Sequence, residues 1–159
     1  NLHPDPNRCS IRIEKARRSL VLYFDDQPIK EYAVRISQCP AGPKQREGDR
    51  RTPEGNYYIC YRNNESRFHL FMGLSYPNDH DARTGLEEGL ITREKCQEIA
   101  EAVSTKARPD WYTPLGGEVG IHGGGTNRKG TLGCIALENE DIEELWAATT
   151  HGTSVEIVG

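Results

Sequence analysis

The residues best suited to chemistry lie between Gly120 and Leu137, in the run GIHGGGTNRKGTLGCIAL. This run holds one histidine, His122, and one cysteine, Cys134, separated by a glycine-rich stretch. Five of its first eleven residues are glycine, and Gly133 stands directly before Cys134. Glycine adds little to a core and costs extra backbone entropy to order, so such a run marks tight turns or close approach. The two reactive residues sit at strand-like ends, Gly120-Ile121-His122 and Cys134-Ile135-Ala136-Leu137, which neighbouring strands can bring together. Side by side, they suit nucleophilic catalysis. The thiolate is the nucleophile, and a free thiol with a pKa near ~8.5 is mostly protonated at neutral pH. An imidazole can take that proton and later give it to a leaving amine. Leu132-Gly133-Cys134 offers consecutive backbone N–H groups to an oxyanion, and Gly133 leaves room there for a carbonyl.

The residues alone leave two other readings open. Cys134 could be a buried structural cysteine and His122 an ordinary surface histidine. A zinc site could draw on Cys134, His122 and either His69 or His80, although no pair has metal-type spacing. The remaining histidines have plain assignments: His69 in a strand, His80 in a solvated loop, and His151 beside Gly152 at a helix end. The five cysteines, at positions 9, 39, 60, 96 and 134, include no CxxC pair. Cys134 is expected to be the free reactive thiol. Any disulfides would come from Cys9, Cys39, Cys60 and Cys96, and all four could equally be reduced.

The elements that must position the pair are mostly strands. Ile11-Arg12-Ile13 alternates, Lys15 to Arg18 reads as a turn, and Ser19 to Phe24 is a β-rich run. Further strands are expected at Tyr32 to Ile36, Asn56 to Tyr61, Phe68 to Leu74 and Thr153 to Val158. Pro40 to Gly55, with three prolines and three glycines, reads as a long surface loop whose charges are mostly solvated. A helix is expected from an N-cap at Thr92, with Cys96, Ile99, Ala100 and Val103 on one face and Pro109 ending it. A second begins near Asn139, acidic in its first turn and apolar at Ile142, Leu145 and Trp146, and Gly152 stops it. Trp111 and Tyr112 either cap a cleft or pack the core.

Bulk properties narrow the field. A length of 159 residues suggests one domain, 1–159, and 35% hydrophobic with 28% charged residues is a globular composition. The formal net charge of −4 gives no reason to expect nucleic acid or anionic lipid as a partner. No apolar run approaches the ~18–20 residues of a membrane span. The chain starts at Asn1 with no signal-peptide pattern, as in a mature exported chain or a trimmed one.

His122-Gly123, followed after the glycine-rich stretch by Thr131-Leu132-Gly133-Cys134, resembles the signature of the L,D-transpeptidase (YkuD-type) catalytic domain. Gly48 to Ile59 (GDRRTPEGNYYI) is similar to that family's G-x-x-x-T-P-x-G-x-[FY]-x-I pattern at the opening of a strand. Leu74 to Asn78 and Cys134 to Leu145 resemble the branch that includes murein L,D-transpeptidases and lipoprotein-releasing enzymes. The resemblance implies a mainly β fold, a compact mixed-sheet sandwich or barrel with about two helices. It implies Cys134 as nucleophile, His122 as base, Gly123 as a carbonyl that orients His122, and Gly133 with Cys134 as oxyanion donors. Thr131 takes the Ser/Thr position, and Leu132 stands where many members have a second histidine. Ala136 replaces a polar position common in the family, so substrate contacts could come from Arg128, Lys129, Tyr76 and Asn78.

The implied function is acylation of Cys134 by a peptidoglycan tetrapeptide stem, cut between its third L-centre and the terminal D-alanine. Transfer to an amine gives a 3-3 cross-link or exchanges the terminal D-amino acid. Transfer to water makes the enzyme an L,D-carboxypeptidase or endopeptidase, or one that hydrolyses a lipoprotein–peptidoglycan link. A non-catalytic peptidoglycan-binding domain is the alternative from another class. The resemblance further implies a cell-envelope location, no cofactor or metal, and covalent inhibition by carbapenems.

Overall fold

The computed structural model describes residues 5, 7–36, 42–66, 68–124 and 133–159. The fold starts from a meander whose turns follow local chemistry. Strand β1 (Cys9–Glu14) buries Cys9, Ile11 and Ile13 on one face, and β2 (Ser19–Phe24) pairs with it antiparallel across the 15–18 turn. Asp25 and Asp26, both at positive φ, then make a two-residue hairpin into β3 (Gln27–Ala33). The sequence places this strand later, at Tyr32 to Ile36. Residues 27–31 are exposed without alternation, so periodicity does not mark them, and Pro28 is tolerated because β3 is an edge strand.

Strand β4 (Gly55–Ser66) joins the two halves of the sheet. Its first residues pair with β8 (Ser154–Val158), and beyond a bulge at Ile59/Tyr61 it pairs with β5 (His69–Leu74). Such a bulge bends the strand and increases its twist. With β6 (Gly120–His122) and β7 (Ile135–Ala136), the strand order is β3-β2-β1-β8-β4-β5-β6-β7. The result is a mostly β mixed sheet curled into a half-barrel. The β1–β8 and β6–β7 pairs are parallel and the other neighbours antiparallel.

Three helices complete the described fold. Helix α3 (Asn139–Ala148) drives Ile142, Leu145 and Ala148 into the main core, against Met72, Ile121, Ile135 and Leu137. Helix α2 (Arg93–Ser104) begins at the expected cap, where the Thr92 side chain accepts from the Lys95 N–H. It stops at Thr105, before Pro109, where Lys106 turns left-handed and the Ala107 N–H returns to the Ala102 carbonyl. Helix α1 (Asp79–Glu87) lies where the sequence suggests only a turn. Its buried residues are Ala82 and Gly85, too few for an amphipathic stripe. A capping box starts it: the Asn78 side chain accepts from the Asp81 N–H and the Asp81 carboxylate from the Asn78 N–H. Leu115 packs so closely on Gly85 that a Cβ there would lie 2.5 Å from its methyl group.

Candidate active site

Strands β6 and β7 bring the two reactive residues onto one face of the sheet. Their parallel register sets Ile121 opposite Ile135 and His122 opposite Ala136. Stepping back along both strands places Cys134 opposite Gly120. Side chains alternate along a strand, so Gly120, His122, Cys134 and Ala136 share a face while Ile121 and Ile135 enter the core. Cys134 and His122 thus lie diagonally across the β6–β7 pair.

The imidazole of His122 is buried and fixed. Its Nδ1 lies 2.6 Å from the Gly123 carbonyl oxygen, which can only accept, so Nδ1 carries a proton. Phe68 stacks on the ring at 4.3 Å between centroids, and Phe71, opposite His122 in β5, lies nearly parallel at 6.4 Å. The backbone leaving His122 is held as tightly. A Cβ on Gly123 would meet the Asn139 side-chain oxygen at 2.7 Å and the Phe68 carbonyl at 2.8 Å, and Asn139 also accepts from the Gly124 N–H. Glycine at 123 is a packing requirement.

The Cys134 thiol is half-buried, 3.6 Å from the Glu118 carbonyl. Burial pushes it above its ordinary range, while the Gly120 N–H and the Lys44 charge pull it down and Glu118 pushes it up. Gly133 precedes it at φ +114°, and a Cβ there would lie 2.9 Å from the Arg51 carbonyl. The Gly133 carbonyl accepts the Thr52 hydroxyl at 3.0 Å, with Thr52 fully buried.

Part of the 40–55 loop is therefore built into the site, which corrects the reading of its charges as solvated. Lys44 is only 5% exposed: its Nζ donates to Asp49 and the Arg46 carbonyl and sits 5.9 Å from the Tyr76 ring centre. Although burial opposes it, hydrogen bonds from Gln45, Arg51, Lys44 and Arg46 hold the Asp49 carboxyl below its usual range. Lys15 anchors the loop from the β1–β2 turn through the Gly42 and Thr52 carbonyls and Glu54.

On the face shared with His122, an aromatic ridge crosses β5 and β4. Trp111 lies over Gly73, where a Cβ would be 2.7 Å from its ring, and Tyr61 meets both Trp111 (5.8 Å) and Phe71 (6.3 Å) edge-on. Trp111 is core, whereas Tyr112 beside it is 72% exposed. The sequence marks neither Tyr61 nor Phe71, because an aromatic in a strand reads as ordinary β composition. Lys44 escapes notice because a loop lysine carries no periodic signal, and Thr52 enters the sequence reading only within the T-P-x-G resemblance, with no role attached.

Two of the residues suggested for substrate contact are committed elsewhere. Tyr76 is fully buried with its hydroxyl on the Leu115 carbonyl at 2.8 Å, and Asn78 caps α1 and donates to the Asn56 carbonyl. In this structure both side chains are engaged within the fold, Tyr76 with Leu115 and Asn78 at the head of α1. Thr131, Leu132, Arg128, Lys129 and Cys39 lie outside the described residues. Among the described residues no disulfide joins Cys9, Cys60, Cys96 and Cys134. His69 pairs with Glu143, His80 is exposed on α1, and His151 bonds the Lys106 carbonyl, so none joins Cys134. Among the described residues no three His, Cys, Asp or Glu side chains could hold a metal ion, and no helix is long and apolar enough to cross a membrane. A groove of about 630 Å³ bordered by Arg12, Tyr23, Asn56 and Glu156 contains neither His122 nor Cys134, so reactive groups rather than volume locate the site.

Comparison with known proteins bears on the family and the fold. Residues 10–157 match the model of the L,D-transpeptidase catalytic domain, YkuD. YafK of Escherichia coli (strain K12), whose L,D-transpeptidase name is provisional, is 27% identical over 147 residues, spanning 88% of this chain and 46% of YafK. The chain thus spans about half the length of the curated relatives it matches. The helical cell shape determining protein Pgp2 of Campylobacter jejuni shares the fold with a TM-score of 0.65 at 22% identity, over 94% of this chain and 47% of Pgp2. A carbamoyl enzyme formed by Ldtfm with avibactam shares it with a TM-score of 0.57 at 17% identity, over 96% of this chain and 49% of the other. A family match across nearly the whole chain, on a fold shared with these proteins, makes this chain a member of the L,D-transpeptidase catalytic domain family.

Proposed function

We propose that residues 1–159 act as one catalytic domain that cleaves a peptidoglycan tetrapeptide stem through a Cys134 thioester. The observation that carries this is the His122 tautomer: Nδ1–H is committed to the Gly123 carbonyl, which leaves Nε2 as a base on the face shared with Cys134. Because burial pushes the thiol pKa up, a base has a task here. Nε2 takes the thiol proton as sulfur attacks the carbonyl of the third residue. The tetrahedral intermediate collapses, His122 passes the proton to the departing D-alanine nitrogen, and a thioester remains. The backbone carbonyl of Gly123 replaces the carboxylate of a Ser-His-Asp triad as the orienting group. Gly133 and Cys134 N–H groups serve the oxyanion.

Attack on the thioester by an amine gives a 3-3 cross-link or an exchanged terminal residue, and attack by water gives tripeptide. Exposed Tyr112 beside the aromatic ridge favours transfer, because an acceptor wall must hold the amine and exclude water. The substrate places the domain in the cell envelope. Carbapenems, whose strained amide the same thiol would open, are the expected covalent inhibitors. The test incubates the protein with tetrapeptide muropeptides, with and without D-methionine. Dimers or D-methionine-terminated stems are expected. Tripeptide alone, unaffected by added amine, identifies a hydrolase, and unchanged tetrapeptide leaves only a binding domain.

A further inference from the structure

Gly133 cannot fix its own peptide plane, because glycine has the freest backbone of any residue. Something else must set the direction of the Gly133–Cys134 peptide. The contact that does so is Thr52 Oγ1, which donates to the Gly133 oxygen at 3.0 Å from a fully buried position. In a planar trans peptide the C=O and N–H point in opposite directions, so holding the Gly133 oxygen aims the Cys134 N–H.

Thr52 is itself anchored at both ends. Its carbonyl accepts from Lys15 Nζ at 2.7 Å, and Lys15 lies in the turn between the long strands β1 and β2. Its neighbour Arg51 donates its N–H to Asp49, whose carboxylate also takes the Gln45 and Arg46 N–H groups and Lys44. The Arg51 carbonyl closes the space a Cβ at 133 would need. A short β7 thus borrows rigidity from the far side of the sheet through one hydroxyl.

We infer that Thr52 is a positioning residue for acyl transfer, its hydroxyl locking the Gly133–Cys134 peptide so that the Cys134 N–H meets the developing oxyanion. This rests on the proposed thioester chemistry. As the S–C bond forms, the carbonyl π pair moves to oxygen, where the Cys134 N–H donates to it. Collapse returns the pair and expels the amine, which takes the proton from His122.

Two reagents separate this role from a merely structural one. Iodoacetamide alkylates the thiolate at a saturated carbon and creates no oxyanion, whereas a carbapenem or a tetrapeptide muropeptide must create one. In Thr52→Val, which keeps the shape and removes the hydroxyl, acylation is expected to slow about 10- to 100-fold, a partial loss of one oxyanion donor. Alkylation of Cys134 should stay within about 3-fold of wild type, and muropeptide KM should change less than kcat. Thr52→Ser, which restores the hydroxyl, should acylate within about 3-fold of wild type. The acylation-to-alkylation ratio is read at Cys134 under conditions where an unfolding curve shows the variant fully folded, because unfolded chains are alkylated but not acylated, and Thr52→Ala supplies it if the valine variant does not fold. An unchanged ratio, or equal loss of both reactions, overturns the role of Thr52. A wild-type protein that is alkylated but never acylated overturns the thioester chemistry itself, and the inference with it.

Discussion

The two ends of the curled sheet are held together by different means. In the β3-β2-β1-β8 half, strands have five to seven residues, β1 pairs without a break with both β2 and β8, and Ile11, Ile13, Leu20, Leu22, Val155 and Ile157 fill the core. At the other end, β6 has three residues and ends in His122, and β7 has two and directly follows Cys134. Few ladder bonds hold them. Their geometry comes from outside the sheet: Asn139 on the turn after His122, Phe68 on the imidazole, and Thr52 on Gly133. The first half should therefore respond to mutation through stability and the second through rate.

Cys134→Ala tests that division most severely: turnover of muropeptides should vanish while the melting temperature stays close to wild type. His122→Ala should slow turnover by ~10²–10⁴-fold, the range of general acid–base catalysis. It should also cost about 1–3 kcal/mol, since the ring is buried under Phe68. Ile13→Ala in β1 is the mirror experiment, losing about 2–5 kcal/mol by thermal or urea unfolding with kcat per folded molecule unchanged. If Ile13→Ala slowed catalysis as much as His122→Ala, the two halves would not be separable.

Gly133→Val should affect both quantities. A branched residue at φ +114° against the Arg51 carbonyl is strained by about 1–3 kcal/mol. Displacing an oxyanion donor should lower acylation ~10²–10³-fold. Unfolding curves and carbapenem acylation rates, measured on one preparation, separate the two; a stability loss with normal acylation would make Gly133 a purely conformational residue.

A smaller, electrostatic effect is expected at Lys44. Its charge lowers the Cys134 pKa, and Lys44→Met removes that charge and leaves Asp49 without its cation. The thiol pKa should rise. Alkylation at neutral pH should slow several-fold, and its pH profile should shift upward, with the rates converging at high pH. A profile that does not move would place the Lys44 field outside the site's chemistry. Arg12→Ala, in the regular half, should do least: its half-exposed bridge to Glu156 is worth about 0–1 kcal/mol, weaker still in high salt.

Local sequence alone determined much of this protein. Alternation marked β1, a β-rich run marked β2, a Thr cap marked the start of α2, and an acidic first turn marked α3, because each is a signal between residues a few positions apart. The His-Gly and Gly-Cys pairs were legible for the same reason. Edge strand β3 and helix α1 were not, since exposed or sparsely buried elements carry little period. Only the tertiary structure decided that Tyr76 and Asn78 serve the scaffold, and that Lys44 and Thr52 are buried beside the site. Thr52 meets Gly133 across 81 positions of sequence, and Phe71 meets His122 across a strand pair. Composition and spacing do not encode such contacts, because they exist only once the curled sheet has brought distant loops onto one face.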